Sequence, residues 1–186
     1  MSRPTAPSIS GGALRGQRLA VPAGLAVRPT RALVRQALFS MLGERVAGAE
    51  VLDLYAGSGA LGLEALSRGA ARALFVERDP RALEALRRNI ASCRLPAERA
   101  EVAPLDVQRW APPPGRRFDL VLADPPYALL RPLPDALAAP GVLSERAVLL
   151  LEGPQARLAP RRLLGLPLQR ERVHGETRLS LYAPEA

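Results

Sequence analysis

Val51-Leu52-Asp53-Leu54-Tyr55-Ala56-Gly57-Ser58-Gly59-Ala60-Leu61-Gly62 is the stretch whose reading decides the fold. An apolar run from Val51 to Leu54 predicts a buried strand, the glycines predict a tight turn, and the apolar pattern from about Ala60 to Ser67 predicts a helix. Without a Cβ at Gly57 and Gly59, the backbone of that turn can approach a ligand closely.

Working outward, the same alternation continues. Ala73 to Val76 reads as a strand, Pro80 to about Ile90 as a helix, Val102 as the centre of a short strand, and Phe118 to Ala123 as a strand. A helix near Leu133 to Ala138 and a strand from Val148 to Leu151 follow. Strands alternating with crossover helices predict a mostly parallel sheet covered on both faces, so the fold class is α/β and Rossmann-like. Leu168 to Val173 and Arg178 to Tyr182, separated by a turn at Gly175, predict an antiparallel hairpin at the far edge. Upstream, Pro29 and Thr30 open a helix whose apolar face is Leu33, Val34, Ala37, Leu38, Met41 and Leu42, ending near Gly43. Ile9 to Leu19, loosely alternating around Gly11, Gly12 and Gly16, reads as an irregular hairpin with little apolar surface to bury. The expected organisation is a basic arm over residues 1–28 and one core domain over residues 29–186.

The composition narrows the function classes. No apolar run approaches the length of a membrane span and no signal-peptide pattern opens the chain, so a cytoplasmic protein without a membrane partner is expected. One cysteine and one histidine in 186 residues leave no metal-ligand cluster to expect. The formal net charge of +8 favours a polyanionic partner, with nucleic acid ahead of a membrane surface. All 26 basic residues are Arg, a bias that codon composition explains without any appeal to function.

Two ligands compete for the glycine loop. Gly57-x-Gly59-x-x-Gly62, with Glu77 about 20 residues on, also satisfies the dinucleotide pattern of an NAD-dependent oxidoreductase. Asp53 separates them: a carboxylate at the strand end repels a pyrophosphate resting on the helix N-terminus and attracts the ammonium and sulfonium of S-adenosylmethionine. Glu77, closing the second strand, is placed to take both ribose hydroxyls in either case. Asp106, after the third short strand, is matched to the adenine amino group, with the Val107 amide facing a ring nitrogen; the competing reading of Asp106 is a plain turn or cap residue. Tyr55 and Arg78, beside these positions, complete the expected cofactor set.

Phe118-Asp-Leu-Val-Leu-Ala-Asp-Pro-Pro-Tyr127 runs an apolar strand into Asp124, Pro125, Pro126 and Tyr127. In open parallel sheets ligands bind beyond the carboxyl ends of strands. Methylating an exocyclic amine requires that the nitrogen lone pair, delocalised into the base ring, be turned toward the donor. The Asp124 carboxylate and the Pro125 carbonyl can each accept one N–H and do this, Pro126 adds rigidity, and Tyr127 can stack on an extruded base. The tripeptide alone reads more readily as a rigid turn leaving a strand; its place after a glycine loop carrying Asp53, in a basic chain, reverses this and gives the catalytic reading. Asp124 then also borders the cofactor. Adenine N6, cytosine N4 and guanine N2 are all chemically open to such a site, and a non-catalytic RNA-binding module is a further alternative.

Gly11-Gly-Ala-Leu-Arg-Gly16, Arg28-Pro-Thr30 leading into Val34-Arg-Gln-Ala-Leu-Phe39, and Gly59-Ala-Leu-Gly-Leu-Glu-Ala-Leu-Ser-Arg68, with the two motifs above, resemble the RsmD-like 16S ribosomal RNA guanine-N2 methyltransferases. The similarity runs nearly end to end, although Gln36 and the proline-rich loop at Pro112 to Pro114 depart from it. The resemblance implies a class I methyltransferase core, S-adenosylmethionine as cofactor, and small-subunit ribosomal RNA as partner, naked or assembled as ribonucleoprotein. It implies that Asp124 to Tyr127 hold a guanine amine and that Asp53, Gly57, Glu77 and Asp106 hold the cofactor. The cluster Arg15, Arg18, Arg28, Arg31 and Arg35 near the N-terminus, with few acids among them, is the expected RNA-phosphate surface.

Overall fold

A computed structural model describes residues 7–22, 32–128 and 133–185. In chain order its elements are α1 (Ala32–Leu42), β1 (Glu50–Leu54), α2 (Ala60–Ser67), β2 (Arg72–Glu77), α3 (Pro80–Ser92), β3 (Ala100–Pro104), β4 (Phe118–Ala123), β5 (Leu143–Pro154), β6 (Arg162–Leu163), β7 (Leu166–His174) and β8 (Thr177–Tyr182). They build one eight-stranded sheet in the order β3-β2-β1-β4-β5-β8-β7-β6. The first five of these are mutually parallel, and β8 turns back antiparallel to β5 with β7 beyond it. Strand order reverses between β1 and β4, so the crevice beyond their carboxyl ends is the topological switch point where open α/β sheets bind ligands.

Period-2 alternation divides the strands between two cores. Val51, Leu120, Leu122, Val148 and Leu150 face α1, α2 and α3, while Leu52, Leu54, Val121, Ala123 and Leu149 face Trp110, Leu133 and Leu137 on the other side. Helix α3 forms where the sequence directs it: Asp79 caps it by accepting the Arg81 and Ala82 amides, each at 2.9 Å, Pro80 occupies the first turn, and Ala82, Leu83, Ala85 and Leu86 supply the buried stripe.

Three expectations need correction. The helix expected near Leu133 to Ala138 is a single 3-10 turn, Asp135–Ala138, because Pro134 and Pro140 leave too few residues between them to propagate an α-helix. Among the described residues, that side of the sheet is therefore covered by short turns and loops. Leu33, placed on the apolar face of α1, is 73% exposed, whereas Arg35 takes an inward position. The arm does bury apolar surface: Ile9 and Leu19 are each 1% exposed and belong to the helix-side core. Pro29 and Thr30, the expected helix start, lie outside the described residues.

Candidate active site

Asp53 stands near the carboxyl end of β1, 1% exposed, and its Oδ2 accepts the Gly62 amide of α2 at 2.8 Å. A pyrophosphate at that helix terminus would meet a buried carboxylate already holding one of the free amides, which argues against the dinucleotide reading. Burial raises the Asp53 carboxyl to about 7, the nearby charges of Asp124 and Glu77 push the same way, and the Gly62 amide opposes them. A buried acid poised in that range responds strongly to a cation placed beside it.

The three glycines answer to different demands. Gly57 has φ of 56°, and a Cβ added there would find only the Tyr55 carbonyl within 4 Å, so the loop face is open. Gly59 has φ of 83° and would press a Cβ into the Leu86 side chain, and Gly62 would press one into the Phe75 ring, so these two set how closely α2 packs on the sheet and α3. Tyr55, at φ 60°, turns the chain out of β1, and its hydroxyl accepts from Gln108 Nε2 at 2.9 Å.

Glu77, at the end of β2, accepts the Gly57 amide at 2.8 Å through one oxygen and the Arg78 and Asp79 amides at 2.7 and 2.8 Å through the other. These bonds fix its orientation beside the glycine loop. Asp106 caps the 3-10 turn Val107–Arg109 through Gln108 N at 2.9 Å and pairs with exposed Arg78 at 2.5 Å; the cap and then the Arg78 charge hold its carboxyl below the usual range. The cap reading of Asp106 is thus realised, and its lip position beside β3 leaves it also on the side of the cleft where Glu77 stands. Val107 is buried.

Asp124 follows β4 directly and is half-buried, Pro125 is buried, Pro126 is exposed and Tyr127 is half-buried. Parallel pairing of Leu54 with Ala123 brings Tyr55 and Asp124 side by side at the switch point. The Tyr127 hydroxyl lies 3.1 Å from Thr177 Oγ1 of β8, and its carbonyl accepts from Arg157 at 3.1 Å. The site residues expected from sequence on β1, β2 and β4 therefore converge on one crevice. A cavity of about 590 Å³ lined by Val21, Arg81, Ala85 and Arg88 lies on the outer side of α3 and contains none of them.

The arginine set divides. Arg15 and Arg18 are exposed on the arm, and Arg28 and Arg31 lie outside the described residues. Arg35 is not a phosphate-contacting surface residue: it is 1% exposed, its Nε lies 3.2 Å from the fully buried Glu64, and its guanidinium donates to the Ser8 carbonyl. Glu64 also accepts from the Ser10 amide and hydroxyl and from Arg68 Nε, at 2.7, 2.8 and 2.8 Å. This network docks residues 8–14 on α2, aided by Ala13 N donating to Ser67 O at 2.8 Å.

Sequence reasoning missed Asn89. It is buried on α3, exchanges hydrogen bonds with both backbone groups of Ala20, and donates to the Ser58 carbonyl at 2.8 Å, tying the arm to the glycine loop. A lone Asn on the Leu83-Leu86 stripe was the available signal. Among the described residues no helix is long and apolar enough to cross a membrane, and no group of three or more His, Cys, Asp or Glu side chains is placed to hold a metal ion.

A switch-point crevice with a glycine loop, a buried acid on β1, a second acid closing β2 and Asp-Pro-Pro-Tyr after β4 defines a class I S-adenosylmethionine-dependent methyltransferase. Within that class, the chain belongs to the family described as conserved hypothetical protein 95, the RsmD family, whose profile matches residues 8–183. It is 37% identical over 180 residues to ribosomal RNA small subunit methyltransferase D of Escherichia coli K12, covering 96% of this chain and 90% of that one. A hypothetical protein of Thermus thermophilus superposes with a TM-score of 0.79 at 34% identity, over 96% of this chain and all of the other (100%). The Thermus thermophilus 16S rRNA N2 G1207 methyltransferase RsmC, solved with AdoMet and guanosine, matches with a TM-score of 0.64 at 27% identity, over 88% of this chain and 44% of that one.

Proposed function

We propose that this protein transfers a methyl group from S-adenosylmethionine to the exocyclic N2 amine of a guanine in small-subunit ribosomal RNA, acting in the cytoplasm on RNA that is naked or assembled as ribonucleoprotein. The observation that carries the reading is that buried Asp53 on β1 and Asp124, which follows Ala123 at the end of β4, stand at the same switch point, near enough for the Asp124 charge to act on Asp53. The names of the RsmD and RsmC relatives support the base and the RNA.

The residues present fit the cofactor: Asp53 offers a buried negative charge, Gly57 an open backbone, and Glu77 a carboxylate fixed by three amides. Asp53, Tyr55, Gly57, Gly59, Glu77, Arg78, Asp106 and Val107 would hold it. When bound, S-adenosylmethionine supplies an electrophilic methyl on a sulfonium. Asp124 and the Pro125 carbonyl each accept one N–H of the amine and direct its lone pair across the crevice. Pro126 stiffens that turn, and Tyr127, anchored through its hydroxyl to Thr177, offers a ring to the extruded base. No strong base is required, since the methylated ammonium sheds its proton readily. The N-terminal arm faces the RNA, with exposed Arg15 and Arg18 contributing phosphate contacts; in sequence Arg28 and Arg31, outside the described residues, continue the basic set.

The test is incubation with methyl-labelled cofactor and small-subunit RNA, free and in assembled subunits, followed by mapping of the labelled nucleoside. The expected product is N2-methylguanosine at a single position; label on another base, or none, overturns the reading.

A further inference from the structure

The tetrad after β4 grips any exocyclic amine, so the choice of base must come from another group. Register supplies one. Ala123 of β4 pairs in parallel with Leu151 of β5, so the next step along both strands sets Asp124 beside Glu152. Neighbouring strands run ~4.8 Å apart, a spacing that places two acceptors next to each other along one edge of a base.

Alternation shows which face Glu152 occupies. On β5, Val148 and Leu150 belong to the helix-side core and Leu149 to the opposite one, so Glu152 falls on the helix side, the same side as Asp53, whose carboxylate reaches α2. Its cross-strand partner on β8 is Leu179, another helix-side residue. Thr177, which anchors the Tyr127 hydroxyl, pairs with Pro154, two residues beyond Glu152. Glu152 is only 6% exposed at a position where Val148 and Leu150 set an apolar pattern. Burying a carboxylate there is costly in folding terms, and such local violations of pattern concentrate at functional sites.

Among bases carrying an exocyclic amine, only guanine has a ring N–H next to that amine; adenine and cytosine present a bare ring nitrogen in the same place. A carboxylate accepts from the first and repels the second. We propose that Glu152 is the specificity-determining residue of the base pocket, accepting the N1–H of guanine while Asp124 and Pro125 hold the adjacent N2 amine. This rests on the guanine-N2 reading and deepens it. Glu152 takes no part in the methyl transfer itself; it selects the base that Asp124 then presents.

The experiment compares two RNA substrates differing at the target position: guanosine, or 2-aminopurine ribonucleoside, which keeps the 2-amine and replaces the N1–H with an acceptor. Wild-type protein is expected to prefer guanosine in kcat/KM by roughly 10- to 100-fold, the range for one hydrogen bond to a charged group. Glu152→Gln, whose amide can donate to a bare N1, is expected to lower guanosine methylation and reduce the preference at least tenfold, with cofactor affinity unchanged. Glu152→Met, apolar and of similar size, gives the same fall in preference should the Gln variant fail to fold. A variant in which both activities drop together and the wild-type preference survives assigns Glu152 a structural role and overturns the proposal. Wild-type protein that methylates no guanine N2 overturns the functional reading as well, so the two failures are distinguishable.

Discussion

Arg35 of α1 and Glu64 of α2 form a wholly buried ion pair, with Nε and Oε2 3.2 Å apart and neither side chain more than 1% exposed. The pair is completed from the arm, since Glu64 accepts from Ser10 and Arg35 donates to the Ser8 carbonyl. Two helices and the N-terminal arm thus share one charge network. Removing Arg35 takes away the buried counter-charge on Glu64, leaving it the partly exposed Arg68, and removes the donor to the Ser8 carbonyl.

Arg35→Ala should accordingly lower the free energy of unfolding by about 3–5 kcal/mol, measured by urea denaturation. Arg15→Ala, at an exposed arm position, should change it by less than about 0.5 kcal/mol. Equal effects from the two substitutions would contradict the buried network.

Asp53 makes ligand-free stability depend on pH. Its folded pKa of about 7 lies above the ordinary 3.8, so the folded chain keeps a proton that the unfolded chain has released. That contribution is fully present below pH ~4 and is lost as pH rises to ~7, an effect of up to about 4 kcal/mol. Comparing wild type with Asp53→Asn at pH 4.5 and 7.5 isolates it: the wild-type protein should lose more stability than the variant over that interval.

A cation bound beside Asp53 favours its ionised form. Binding of S-adenosylmethionine at pH 6.5 should therefore release protons, read by calorimetry in buffers of different ionisation enthalpy. Asp53→Asn should bind more weakly and release fewer; identical proton release in the two proteins would show that the sulfonium does not sense Asp53.

Asp124→Ala should lower kcat for methyl transfer by roughly 100-fold or more while cofactor affinity stays within about twofold, because its part is played on the amine. A proportional loss of cofactor binding would move Asp124 to the other half of the site.

Truncating the arm would remove Ile9 and Leu19 from the core, so its RNA role is better tested by charge. Arg15→Gln combined with Arg18→Gln should weaken RNA binding uniformly across sequences and reduce the slope of log affinity against log salt by about 1–2. An unchanged slope would place the phosphates elsewhere.

The parallel strands, the glycine loop and the Asp-Pro-Pro-Tyr turn are legible in the sequence because each rests on local pattern: apolar runs, missing Cβ atoms and fixed proline geometry. Arg35 is misplaced by a reading that weighs charge over position. It precedes Leu38 and Phe39 by three and four residues, which sets it on the inward stripe of α1, while Leu33 falls outside that stripe. Asn89 and Glu152 are the same kind of signal, a polar side chain breaking an apolar period; the meaning of Asn89 depends on Ala20, 69 residues away in sequence, and that of Glu152 on the register of β5 against β4. The expected helix near Leu133 fails on proline spacing, which composition alone does not weigh.

The hydrogen bonds that seat the arm run from Ser10 to Glu64 and from Ala20 to Asn89, separations of 54 and 69 residues. During synthesis this segment leaves the ribosome ahead of α2 and α3, and its seating is complete only once both have followed. Its seating closes some of the longest loops in this half of the chain, and folding is slowed most by contacts of that kind. A stretch of nascent chain older than either helix should thus be among the last to gain protection from hydrogen exchange.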